Sequence, residues 1–211
     1  MVLMKSLMYN SLKILKIIPE RFDGPFYKWI KHDPKTKQVV GFLESMEYIK
    51  RYYNENGPFD GIIAFSQGGF MARTLLKATE CGFPDLQITP KFCMLVGSAT
   101  PIKHMFKNKN DCDYPCPIMY IYGENDPIIK PHDPAICKRS DSTVIWHKKG
   151  HVIPKLTGDH METFINFYSR FYEEKFGQPM VFEHTFDEDF KKEYIAISAN
   201  AVKLKQILHK L

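Results

Sequence analysis

The sequence predicts an α/β fold, a mostly parallel sheet flanked by helices, and three observations carry that expectation. Short apolar runs alternate along the chain with longer stretches whose apolar residues recur every three or four positions, as strands and covering helices do in a parallel sheet. The runs at 59–65, 91–96, 118–122 and 143–146 are apolar nearly throughout rather than at alternate positions, the mark of strands buried on both faces. With 211 residues, 44% of them hydrophobic, the chain is long enough to close one sizeable core.

Each element follows from its local pattern. Residues 1–12 are expected to form a short helix with Leu3, Leu7 and Met8 on one side, and 14–18 a strand stopped by Pro19. Asp23-Gly24-Pro25 and His32-Asp33-Pro34 mark a loop. Phe42, Met46, Ile49 and Tyr53 make a stripe that predicts a helix over 40–56, with Gly57 as its stop. The strand at 59–65 leads straight into a helix over 67–79. Strands at 91–96, 118–122 and 143–146 follow, and a helix over 159–175 carries Phe164, Phe167, Tyr168 and Phe171. No internal repeat or low-complexity tract interrupts this order.

The expected division is a domain at 1–176 and an extension at 177–211. Within the extension, Phe190, Tyr194, Ile197, Ala201, Leu204, Leu208 and Leu211 are spaced alternately four and three apart. That spacing predicts an amphipathic C-terminal helix with one continuous apolar seam. Docking on the chain's own core is the first expectation for the seam, and self-association through it the second.

Composition narrows the function classes. The net charge of +5 is small and its charges are mixed. The one basic run, at 103–109, holds no aromatic but Phe106, so it reads as a solvated loop and no nucleic-acid partner is expected. The five cysteines are odd in number and scattered; Cys112 and Cys116 lack a second pair at zinc-site spacing. They read as reduced structural thiols, the state of a cytoplasmic protein, with the nucleus open to it as well. No stretch approaches the roughly 20 uninterrupted apolar residues of a membrane span. The first 19 residues are acid-free, but Lys5, Lys13 and Lys16 interrupt them and Arg is missing, so no targeting segment is expected.

The chemistry concentrates in Gly61-Ile62-Ile63-Ala64-Phe65-Ser66-Gln67-Gly68-Gly69. A buried strand runs into a serine and a helix starts at once, which is the form of a nucleophile elbow. Side chains two before and two after such a serine would collide where strand and helix cross, and Ala64 and Gly68 are small enough to avoid it. The helix N-terminus directs positive charge at a developing oxyanion, and the backbone N–H of Gln67 can donate to it. Asp126 follows the strand 118–122 in the loop Gly123-Glu124-Asn125-Asp126-Pro127. His151 follows the strand 143–146 in the loop His147-Lys148-Lys149-Gly150-His151. The chain order Ser, Asp, His is that of α/β-hydrolases, and all three fall at carboxyl ends of strands, where such sheets place their sites. Glu124 competes with Asp126 for the acid; Asp126 is preferred because it stands later in the loop, before a Pro that fixes the turn. His147 competes with His151 for the base; Gly150 gives the chain freedom to turn His151 back toward the serine.

These residues resemble the FSH family of serine hydrolases. The likeness rests on Asn56-Gly57-Pro58-Phe59-Asp60-Gly61 leading into Phe65-Ser66-Gln67-Gly68, and on the preceding Gly41-Phe42-Leu43-Glu44-Ser45-Met46-Glu47-Tyr48. It rests also on Tyr122-Gly123-Glu124-Asn125-Asp126-Pro127 and Gly150-His151-Val152-Ile153-Pro154. It covers roughly residues 14–172 and implies an α/β-hydrolase fold with Ser66, Asp126 and His151 as its triad. The family is similar to acyl-protein thioesterases and small carboxylesterases, which share Phe-Ser-Gln-Gly. One departure stands out. Family members open with a strand and a His-Gly loop that supplies the second oxyanion donor, and no His-Gly pair precedes Ser66. The strand beside the serine strand is therefore expected to be absent.

The expected function is hydrolysis of a small-molecule carboxylic ester or thioester by Ser66, His151 and Asp126, without metal or organic cofactor. The rival is a catalytically weak homologue acting as an interaction protein.

Overall fold

The computed structural model describes residues 2–6, 28–33, 35–36, 38–98, 114–129 and 140–180. Five parallel strands form the main sheet: β1 (Val2–Ser6), β4 (Gly61–Ser66), β5 (Phe92–Val96), β6 (Ile118–Gly123) and β7 (Thr143–His147), hydrogen-bonded in that order. A two-stranded antiparallel ribbon, β2 (Lys31–His32) with β3 (Val39–Val40), precedes helix α1 (Phe42–Asn56). Helix α2 (Gln67–Glu80) follows β4 without a break, and α3 (Asp159–Phe176) closes the described part.

Period-two alternation divides the side chains of β4, β5, β6 and β7 between two cores. Ile62 and Ala64 of β4, Cys93 and Leu95 of β5, and Ile118, Tyr120 and Tyr122 of β6 join Met46 and Ile49 of α1 and Phe70, Met71 and Leu75 of α2. Phe65, Met94, Val96, Met119 and Ile121 face the other way and pack with Ile145 and Phe167. The all-apolar strand runs thus serve two layers at once. Helix α1 buries Met46 and Ile49 and half-buries Phe42 and Tyr53, the stripe read from sequence. Helix α2 is buried from Gln67 to Ala78, so it is the central helix of its layer.

Two sequence expectations are corrected. Val2–Ser6 is a strand, not part of a helix over 1–12, and it pairs in parallel with β4, Ser6 level with Ser66. The place beside the serine strand, expected to be empty, is therefore filled. A short apolar run is ambiguous between helix and strand by periodicity alone, and pairing with β4 decides it. The loop marked by Asp23-Gly24-Pro25 and His32-Asp33-Pro34 likewise meets the ribbon strand Lys31–His32, whose two residues are too few to leave a pattern. The expected strand at 14–18, the basic run, Cys112, Cys137 and the seam from Phe190 to Leu211 lie outside the described residues.

The chain divides into two compact units, Met1–Phe171 and Tyr172–Leu211. Among the described residues no helix is long and apolar enough to cross a membrane. Among the described residues, Cys81, Cys93 and Cys116 form no disulfide, and burial pushes the Cys93 thiol up, so it stays protonated and packs as a small hydrophobe.

Candidate active site

Ser66 ends β4 and caps α2 with φ 55° and ψ −119°; among the described residues no other residue with a side chain has positive φ. Such backbone is costly and persists where surrounding structure imposes it. Here β4 and α2 are both buried and the chain reverses between them in one residue, which aims the hydroxyl beyond the sheet edge. Ala64, two before the serine, is wholly buried, and its single methyl fits. At Gly69 a Cβ would stand 2.5 Å from Ser98 Cβ, so glycine lets α2 lie against the end of β5.

The structure brings Ser66, His151 and Asp126 together. His151 Nε2 lies 2.8 Å from Ser66 Oγ, and His151 Nδ1 lies 2.7 Å from Asp126 Oδ2. The other carboxylate oxygen, Oδ1, accepts the backbone N–H groups of Ile128 at 2.8 Å and Ile129 at 3.3 Å. Both oxygens of Asp126 are thus engaged, and its side chain is 1% exposed against 18% for His151. The competing residues point elsewhere. Glu124 pairs with Lys148 at 2.7 Å on the surface. His147 is buried at the end of β7, and its Nδ1 accepts the N–H of Lys149 at 3.2 Å. Burial first, then nearby His160 and Lys149, hold the His147 imidazole below its usual pKa, so it is neutral at pH 7.

The loops bearing the acid and the imidazole are bound to each other. Asn125 Nδ2 donates to Lys148 O at 2.7 Å, the N–H of Glu124 donates to His147 O at 2.8 Å, and that of Asn125 to Lys149 O at 3.3 Å. A Cβ at Gly123 would meet Lys149 O at 2.3 Å and Gly150 O at 2.4 Å, so glycine is the residue that lets the loops touch. This contact sets the distance between Asp126 and His151.

Two features escaped the sequence reading. The side chain of Gln67, considered there for its backbone N–H, accepts the N–H groups of Trp29 at 2.9 Å and Ile30 at 3.2 Å and donates to Ile30 O at 3.1 Å. It ties the elbow to a segment 37 residues away, where Trp29 and Lys31 line a cavity of about 650 Å³ with Val40 and Tyr48. Gly97, after β5, has φ +53°, and a Cβ there would stand 3.0 Å from Cε1 and Nδ1 of His151. Its one sequence signal is a glycine ending an apolar strand. Among the described residues no group of three or more His, Cys, Asp or Glu side chains is placed to hold a metal ion.

The chain is similar to several known proteins. The chain is 29% identical over 142 residues to Family of serine hydrolases 2 from Saccharomyces cerevisiae, covering 62% of each protein. It is 28% identical over 134 residues to Esterase OVCA2 from Bos taurus, covering 62% of this chain and 58% of that protein. It is 32% identical over 131 residues to Rhodanese-like domain-containing protein 6 from Arabidopsis thaliana, covering 56% of this chain and 21% of that one. The chain therefore spans from about a fifth to about three fifths of these relatives' lengths. Acyl-protein thioesterase 2 from Zea mays is a structural neighbour with a TM-score of 0.44 at 15% identity, over 68% of this chain and 70% of that one. The family model described as Serine hydrolase (FSH1) matches residues 5–163, a span that takes in the last two residues of β1, the elbow and both loops, and on that match the chain belongs to the FSH1 family of serine hydrolases.

Proposed function

We propose that the chain hydrolyses a carboxylic ester or thioester by acyl transfer through Ser66, with His151 as general base and Asp126 as the carboxylate that orients it. The observation that carries this reading is the unbroken line of hydrogen bonds from Asp126 Oδ2 through both ring nitrogens of His151 to Ser66 Oγ. The relative named Esterase OVCA2 favours ester chemistry for this site.

The hydrogen bonds of His151 support one proton path. Nδ1 faces a carboxylate, so it carries the ring proton and leaves the Nε2 lone pair toward the serine hydroxyl. As Oγ attacks the carbonyl carbon, its proton passes to Nε2 and the carbonyl π electrons move to oxygen. Collapse of that tetrahedral oxyanion expels the alkoxide or thiolate, which takes the proton from Nε2 and leaves an acyl-serine. Water, giving its proton to Nε2, adds to the acyl carbonyl, and collapse breaks the bond to Oγ, which takes that proton back from Nε2 as the acid is released. The positive end of α2 faces the developing oxyanion, and the Gln67 N–H at its first position is the donor assigned to it.

Labelling with a fluorophosphonate probe followed by peptide mapping tests this. The expected adduct is on the peptide containing Ser66, and Ser66→Ala removes it. An adduct on Ser98 overturns the nucleophile; no adduct and no hydrolysis of p-nitrophenyl butyrate overturn the hydrolase.

A further inference from the structure

Phe65 immediately precedes Ser66. Strand alternation that sends Ser66 to the site sends Phe65 into the opposite core, with Met94, Val96, Ile121 and Phe167. Its ring nonetheless reaches the imidazole of His151, centroid to centroid 5.0 Å with 32° between the planes. A benzene face carries partial negative charge and attracts a cation within about 6 Å, most strongly where water is excluded. Water is largely excluded here, since Phe65 is 9% exposed and the His151 side chain 18%.

We propose that Phe65 is a positioning residue for the hydrolytic reaction, its ring holding the His151 imidazole in line and stabilising the imidazolium that forms as Ser66 attacks. The proposal rests on Ser66 and His151 being nucleophile and base. Among the described residues, the ring also meets Asp126 on Nδ1, Ser66 on Nε2 and Gly97 at the Cε1–Nδ1 edge. The titratable and charged groups on the two loops are Asp126 and Glu124 on one, and His147, Lys148 and Lys149 on the other, with Glu124 already paired to Lys148. The strand ends contribute Phe65, Ser66, Gly97 and Ser98, none charged. Replacing Phe65 alters none of these charges, so a change in His151 titration reports the aromatic ring itself.

Two variants separate the ring's electrostatics from its bulk. Phe65→Leu keeps the site apolar and removes the π face; pentafluorophenylalanine at position 65 keeps the ring and reverses its quadrupole. His151 is followed by NMR on histidine-labelled full chain, beside the pH profile of kcat/KM on a short p-nitrophenyl ester. Loss of the π face removes a stabilisation of the imidazolium, so the imidazolium is expected to form only at lower pH in both variants. The acidic limb of the profile moves down with it. Turnover falls about three- to tenfold by the same free energy, and KM changes by less than about twofold because no substrate contact is lost. An unmoved His151 titration in a pentafluoro variant with native melting behaviour overturns the proposal. Absence of ester hydrolysis by the native chain overturns the hydrolase reading on its own, whereas an unmoved titration in a chain that does hydrolyse esters overturns only the role of Phe65.

Discussion

Gly97→Ala tests how much room the imidazole has. Gly97 sits at φ +53°, where a residue with a Cβ costs about 1–2 kcal/mol. Its N–H donates to Ile121 O at 2.9 Å, so the backbone is held in the sheet and cannot swing away. The added carbon would stand 3.0 Å from Cε1 and Nδ1 of His151 and 3.5 Å from Asp126 Oδ2. Carbon contacts become comfortable near about 3.5 Å, so the ring must retreat by about half an ångström. Its bonds to Asp126 and Ser66 are 2.7 and 2.8 Å, and such a retreat stretches at least one to about 3.2 Å, the outer edge of a good hydrogen bond. A misplacement of about 1 Å costs about a hundredfold in rate, which makes about tenfold in kcat the expectation for half that distance. KM should stay near native. The strain should lower Tm by about 2–8 °C for a chain of this size. Steady-state kinetics on p-nitrophenyl butyrate and a thermal melt read both numbers. Full kcat with an unchanged Tm would refute the idea that the imidazole is held between Gly97 and its two partners.

Asp126→Asn should lower kcat by about 10⁴-fold, because the amide no longer selects the tautomer with the proton on Nδ1, while Glu124→Gln should leave it within about twofold; equal losses would mean that the acid is misassigned. Gln67→Leu strips three backbone partners from Trp29 and Ile30, and at about 1–3 kcal/mol per buried unsatisfied group a loss of about 3 kcal/mol is expected in urea unfolding; an unchanged midpoint would show that the clamp is dispensable. The His147 pKa is lowered in the fold from 6.5, so the unfolded chain takes up a proton there before the folded chain does. Stability present above pH 6.5 is therefore lost as pH falls through that value. Melts between about pH 7.5 and 5 should fall more steeply for the native chain than for His147→Gln, and parallel curves would contradict this.

The alternation of elements, the central strands and the helix faces are legible in the order of the amino acids. Continuous apolar runs can be buried only on both sides, and the Phe42, Met46, Ile49, Tyr53 stripe can be buried only on one. That order also marks the candidate residues, since a serine between a buried strand and a helix, followed by Asp126 and His151 after later strands, leaves few arrangements in a parallel sheet. What it could not decide are contacts between segments far apart in the chain. Val2–Ser6 becomes a strand because β4 offers it an unpaired edge, a fact absent from its own five residues. The separation of Glu124 from Asp126 and of His147 from His151 depends on how two loops bind each other across more than twenty residues. The constraints on the imidazole from Phe65 and Gly97 arise because β4, β5, β6 and β7 end side by side, and tertiary packing alone brings a glycine, an aromatic ring and a histidine to one point.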